Sequence, residues 1–129
     1  MAKKNNDDAQ ELLLAIYDSI LEKKGEDILI LNIGKIPNSV TNYFVICHGN
    51  SDIHVNTIAQ YVEHNVRKTL REKAWKKEGY ENSEWILLDY VNVVVHIFQK
   101  RSRDFYRLEE LWADAEQVEL KILSKSKQN

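Results

Sequence analysis

Apolar residues recur with two different periods along this chain, and the switch between them divides it into elements. From Ala9, the positions Leu12, Leu13, Ile16, Ile20 and Leu21 follow the 3.6-residue spacing of a helix, with Asp7 or Asp8 as its cap and Gly25 as its stop. Asp27 to Ile33 reads as a first strand. The loop Gly34 to Thr41, which holds the only proline, Pro37, leads to a second strand, Asn42 to His48. After the turn Gly49 to Ser51, Ser51 or Asp52 caps a second helix with the stripe Val55, Ile58, Ala59, Val62, Val66 and Leu70. That stripe fades through a charged stretch to Gly79. Residues 84–98, EWILLDYVNVVVHIF, switch to alternation and predict a hairpin. Ser102 then caps a third helix with Phe105, Leu108, Leu111, Trp112, Ala115, Val118 and Ile122 on one broad face. The closing SKSKQN has no periodicity and is expected to fray.

The element order is therefore α-β-β-α-β-β-α. A helix between strands two and three predicts a right-handed crossover and a parallel pair. The short turn makes strands three and four antiparallel. The expected fold class is α/β, a mixed sheet flanked by helices.

The hairpin carries most of the chemistry. With a two-residue turn at Val91 and Asn92, Tyr90 faces Val93, Leu88 faces Val95 and Ile86 faces Ile97, an apolar face that belongs to the core. The opposite face holds Trp85, Leu87, Asp89, Val94, His96 and Phe98. A core has no need of a carboxylate and an imidazole, and a solvated face has no need of two aromatics; the mixture suits docking. For Trp85 and Phe98, burial under the third helix and docking both remain open. An unpaired buried carboxylate is costly, so Asp89 requires a basic partner, either internal (Arg101 or Arg103) or on another protein. Phe105, Leu108 and Leu111 are expected in the core and Tyr106 at the surface.

Composition narrows the function classes. At 129 residues the chain is expected to form one domain, 1–129, ordered from about 7 to 123. No apolar run approaches the roughly 20 residues that span a bilayer, and the start MAKKNNDDAQ lacks the apolar core of a secretory signal, so the cytoplasm is the expected compartment. Cys47 is the only cysteine, which rules out an intrachain disulfide and a multi-cysteine zinc site. It neighbours His48 on a strand, where adjacent side chains point to opposite faces, so the two cannot act as a dyad. His48, His54, His64 and His96 show no metal-binding spacing and are expected in structural roles. The net charge is −2, and the main basic cluster, Arg67 to Lys77, is interleaved with Glu72 and followed by Glu78. A solvated helix end explains that cluster better than a phosphate-facing strip.

Three blocks in order carry a family resemblance. Trp85, Asp89, Val93, Val94, Val95 and His96 match the hairpin signature of the Iojap family, the bacterial ribosomal silencing factors. Downstream, Arg103, Phe105, Tyr106, Leu108, Glu109, Leu111 and Trp112 resemble its helix ending L-E-x-L-W; upstream, NYFVICHGNSDIHV (Asn42 to Val55) resembles its second-strand segment. The similarity runs from about Ala9 to Ala115. Asn42 stands where the family usually has Asp, and Val91-Asn92 where it has Gly-Asp. The resemblance implies a nucleotidyltransferase-like fold and binding to the large ribosomal subunit at ribosomal protein uL14, which blocks subunit joining and represses translation when nutrients are scarce. It implies no cofactor and no small-molecule substrate, ribosomal RNA contact at most secondary, and a capacity for homodimer formation. The candidate partner-binding residues are Trp85, Leu87, Asp89, Tyr90, His96, Phe98 and Tyr106. The alternatives are a nucleotidyltransferase-like enzyme and a large-subunit assembly adaptor. The enzyme needs paired metal-binding acids, and Asp89 stands alone on its strand with Leu87 and Val91 two positions away.

Overall fold

The computed structural model describes residues 6–118, with side chains from residue 9. Helix α1 (Asn6–Glu22) places Asp7 and Asp8 within its first turn rather than ahead of it. It buries Ala9, Leu12, Leu13, Ile16 and Ile20, while Leu21, expected on the same stripe, is exposed. Its end is a two-bond motif in which Gly25 N–H reaches Ile20 O (2.8 Å) and Lys24 N–H reaches Leu21 O (3.0 Å). The left-handed residue there is Lys24, with φ 62°. Gly25 serves close approach instead, because a Cβ there would lie 2.4 Å from Ile20 Cγ2.

Strands β1 (Glu26–Asn32) and β2 (Tyr43–Gly49) form an antiparallel pair with an irregularity between Glu26 and Leu29. Helix α2 (Asp52–Leu70) follows, capped by Ser51, whose Oγ accepts from His54 N–H. Its expected stripe is buried from Val55 to Val66. The helix stops at Leu70, where Arg71 takes a left-handed conformation, and does not run on toward Gly79. The charged residues beyond it include a short strand, β3 (Lys76–Glu78), which pairs antiparallel with β4 (Trp85–Asp89). The link between them opens at Gly79, whose φ of 95° is a conformation that favours glycine, and a Cβ there would sit 2.0 Å from Trp85 O.

Strand β5 (Val93–Gln99) completes the hairpin in the expected register: Leu88 opposes Val95, Ile86 opposes Ile97, and Trp85 opposes Phe98. The parallel pairing falls elsewhere than expected. β2 runs parallel to β5 and not to β4, which gives the six-stranded order β3-β4-β5-β2-β1-β6. A crossover dictates a parallel return, but either strand of a following hairpin can supply it.

The predicted third helix is the largest departure. α3 (Lys100–Tyr106) is capped at Gln99, so Ser102 lies inside it, and it stops at Arg107 with φ 50°. A single turn, α4 (Leu108–Leu111), follows, and then β6 (Glu116–Gln117) pairs with β1. Ile122 and the tail lie outside the described residues.

Both sheet faces are apolar. Helices α1 and α2 cover the face bearing Ile30, Val45, Cys47, Ile86, Leu88, Tyr90, Val93, Val95 and Ile97, forming the larger core. On the other face a smaller core gathers Leu31, Ile33, Phe44, Ile46, Val94, Phe98 and Leu108, with Trp112 and Ala115 packed against it. That cover spans the middle of the sheet. Toward β4 and β3 it thins out, and Trp85 and Leu87 remain half-exposed.

Candidate partner-docking face

The geometry of this face begins at the hairpin turn. Asn92 N–H donates to Tyr90 O (2.9 Å), which encloses Val91 alone at φ 76°. This is a γ-turn of the strained hand, and a β-branched residue adopts it poorly. Three contacts hold it. Val91 N–H donates to Asp89 Oδ1 (2.8 Å), Thr41 Oγ1 donates to Val91 O (2.8 Å), and Tyr43 N–H donates to Asn92 O (3.0 Å). Asp89 is thus engaged within its own hairpin. It meets neither Arg101, which lies 3.9 Å from Glu84, nor Arg103. Lys76, opposite Asp89 on the edge strand, pairs with Glu78 at 3.0 Å.

At the other end of β4, four residues from Asp89, Trp85 Nε1–H donates to His96 Nδ1 (3.1 Å). An indole N–H only donates, so His96 is neutral and carries its proton on Nε2. Burial pushes the imidazole down to about 4. Protonating Nδ1 would also set two donors against each other. Around this bond the rings run in series. Trp112 meets Phe44, and Phe44 meets His96 edge-on at 4.5 Å. Trp85 lies 4.7 Å from Phe98 and 5.0 Å from Tyr106, which in turn touches Phe105 at 5.0 Å. The series leads from the buried interior to open surface, where Phe105 is 78% exposed, Tyr106 48% and Leu111 76%.

The candidate residues therefore divide. Trp85, Leu87, Asp89 and Tyr106 present surface on one side of the sheet. His96 and Phe98 are buried beneath them and support Trp85. Tyr90 lies on the opposite face, 3% exposed within the larger core. Phe105 and Leu111, expected inside, are outside, because the break at Arg107 ends the helical spacing that placed them in the core. No sequence signal marks that break, since Arg107 is neither glycine nor proline.

Arg103 fixes α3 to the sheet. Its Nη1 donates to Asp27 O (2.8 Å) and to His48 Nδ1 (2.9 Å), and its Nε donates to Glu109 Oε2 (3.1 Å). Asp27, at φ 49°, sits in the irregularity of β1, which turns its carbonyl toward the guanidinium. Burial and the neighbouring Arg103 charge both lower the His48 pKa. Cys47 points into the other core, where burial raises its thiol to about 12. Among the described residues no three His, Cys, Asp or Glu side chains converge as a metal site, and no helix is long and apolar enough to cross a membrane.

The neutral His96 has a measurable consequence. The unfolded chain takes up its proton near pH 6.5 and the folded chain only near 4, so stability is present above 6.5 and is lost as pH falls through this window. Between pH 7 and pH 5 the expected loss from this group is about 2 kcal/mol. Urea unfolding at both pH values should show His96→Gln to be less acid-sensitive than the parent by about that amount. Equal acid sensitivity in the two proteins would refute the assignment.

The chain is thus a mixed α/β sheet with one face packed under α1 and α2 and the other carrying a partly open aromatic band. The chain belongs to the ribosomal silencing factor family: residues 6–129 match the family model described as ribosomal silencing factor during starvation. It is 41% identical over 114 residues to the ribosomal silencing factor of Halalkalibacterium halodurans, covering 86% of this chain and 93% of that one. A mouse protein named mitochondrial assembly of ribosomal large subunit protein 1 is 31% identical over 74 residues, covering 56% of this chain and 32% of that one. A crystal structure from Bacillus halodurans superposes with a TM-score of 0.76 at 39% identity, covering 86% of this chain and 99% of that one.

Proposed function

We propose that this chain docks on the large ribosomal subunit at ribosomal protein uL14 through the open band Trp85, Leu87, Tyr106 and Phe105, and thereby keeps the small subunit from joining. Family membership supports a ribosome-associated silencing role. The observation that carries the docking site is the continuity of exposed aromatics with the half-buried Trp85. Aromatic side chains with a polar rim are what a protein interface selects. Silencing then needs no reaction and no cofactor, since a bound domain of 15.1 kDa simply occupies the volume of an inter-subunit bridge. The cytoplasm is the compartment where that work is done. A second copy using the same band would hide it, so self-association and docking exclude each other.

Sedimentation with separated subunits tests this reading. The protein should travel with the large subunit and lower the fraction of joined ribosomes. Migration with the small subunit alone, or an unchanged joined fraction at several-fold excess, counts against it. The name of the mouse relative favours a second reading, an adaptor in large-subunit assembly. Binding confined to immature large subunits would select that one.

A further inference from the structure

The surface beyond α2 carries a second feature that the docking band does not use. Between positions 67 and 77 lie six basic residues and one acid, in a chain whose net charge is −2. Arg67, Lys73 and Lys77, with His64, line one hollow of about 530 Å³ together with Gln60, Glu63 and Ala74. The one carboxylate there, Glu63, is already engaged by Lys77 Nζ (3.3 Å) and by the Tyr80 hydroxyl. In the same segment, between the lining residues Ala74 and Lys77, Trp75 stands 74% exposed and is not itself part of the lining.

Ordinary structural roles account for part of this. Arg67 and Lys68 complement the negative end of the α2 dipole. Lys76 and Lys77 protect the sheet edge at β3 against strand addition. Neither role calls for Lys73 or for a tryptophan in water among cations. A positive hollow with an exposed aromatic residue in the segment that lines it has the chemistry that binds a single strand of nucleic acid: cations track the phosphates and the ring stacks on a base.

We propose that this surface is an RNA contact, in which Arg67, Lys73 and Lys77 meet phosphates and Trp75 stacks on an unpaired base. It rests on the reading that the chain works on the ribosome, where RNA adjoins any docked protein. It promotes RNA to a defined second contact made by a different face from the aromatic band.

The test uses the full chain and a short labelled single-stranded RNA. Binding should weaken with salt at a logarithmic slope of about −2, as about three phosphate contacts would give. Trp75→Ala should weaken it about tenfold, within the range for loss of one stacked base. Arg67→Glu combined with Lys73→Glu should abolish it, while Trp75→Phe and Lys73→Arg keep it. Unchanged melting temperatures would show that these surface variants fold. Absence of RNA binding at low salt, indifference to these variants, or equal competition by an acidic peptide would overturn the proposal. Binding to purified uL14 is measured in parallel and should be untouched by all four variants. A protein that fails to bind uL14 but holds RNA in this pattern would refute the docking reading and leave the RNA contact standing.

Discussion

Replacing Arg103 with Met should cost about 2–4 kcal/mol of stability, below the top of the range for breaking a buried ion pair because the Glu109 side chain is 32% exposed. The substitution keeps the length and apolar stem of the side chain and removes every donor. Asp27 O, His48 Nδ1 and Glu109 Oε2 then lose the guanidinium. For a chain of this size the loss corresponds to a fall in melting temperature of roughly 10 °C. Arg103→Lys should fall between the two, since an ammonium can satisfy one acceptor group but cannot reproduce the fork. The damage should reach function as well. α3 carries Phe105 and Tyr106, so freeing it from β1 and β2 disperses the outer half of the docking band. Calorimetric scans of the three proteins decide the matter, and a Met variant that melts within a degree or two of the parent would remove Arg103 from this role.

The contrast between the hairpin and the segment after it shows what a residue pattern can convey. In β4 and β5 the side chains alternate between two faces of different chemistry, and a one-residue slip would exchange the faces entirely. The register was therefore legible even though Val91 occupies a turn that few sequences would place on valine. After β5 the spacing of Phe105, Leu108 and Leu111 fits a helix equally well whether or not the chain stays helical. It does not stay so: the left-handed step at Arg107 turns Leu108 and Trp112 inward and leaves Phe105 and Leu111 in water. Periodicity assumes a continuous axis, and nothing local to Arg107 announces the break.

Strand β3 was hidden for the opposite reason. Lys76, Lys77 and Glu78 have neither alternation nor β-branched side chains, and their pairing is supplied by β4. The site was legible as a face but not as a set of roles. Alternation placed Trp85, Leu87, Asp89, His96 and Phe98 together, as the strand pairing does. It could not tell that His96 and Phe98 lie under Trp85, because depth on a sheet face depends on what packs over it. Nor could it tell that Asp89 spends one oxygen on the backbone two residues ahead.

That bond changes what Asp89→Ala will report. The carboxylate holds the Val91 turn, whose φ of 76° is strained, so its removal leaves the exposed Val91 N–H to water and loosens the turn. A stability loss of about 1–2 kcal/mol is expected from this alone. Asp89→Asn separates the two roles, because its amide oxygen can still accept from Val91 N–H while the charge is gone. If Asp89 also meets a cation on the partner, both variants should weaken binding to uL14 at least about tenfold, since a desolvated charge pair is worth roughly 2–5 kcal/mol. The Asn variant should do so with a melting temperature close to that of the parent, and the Ala variant with a lower one. Titration calorimetry against uL14, paired with thermal melts of the free proteins, reads both quantities. An Asn variant that binds like the parent would confine Asp89 to the turn and leave Trp85, Leu87 and Tyr106 as the surface that carries the docking energy.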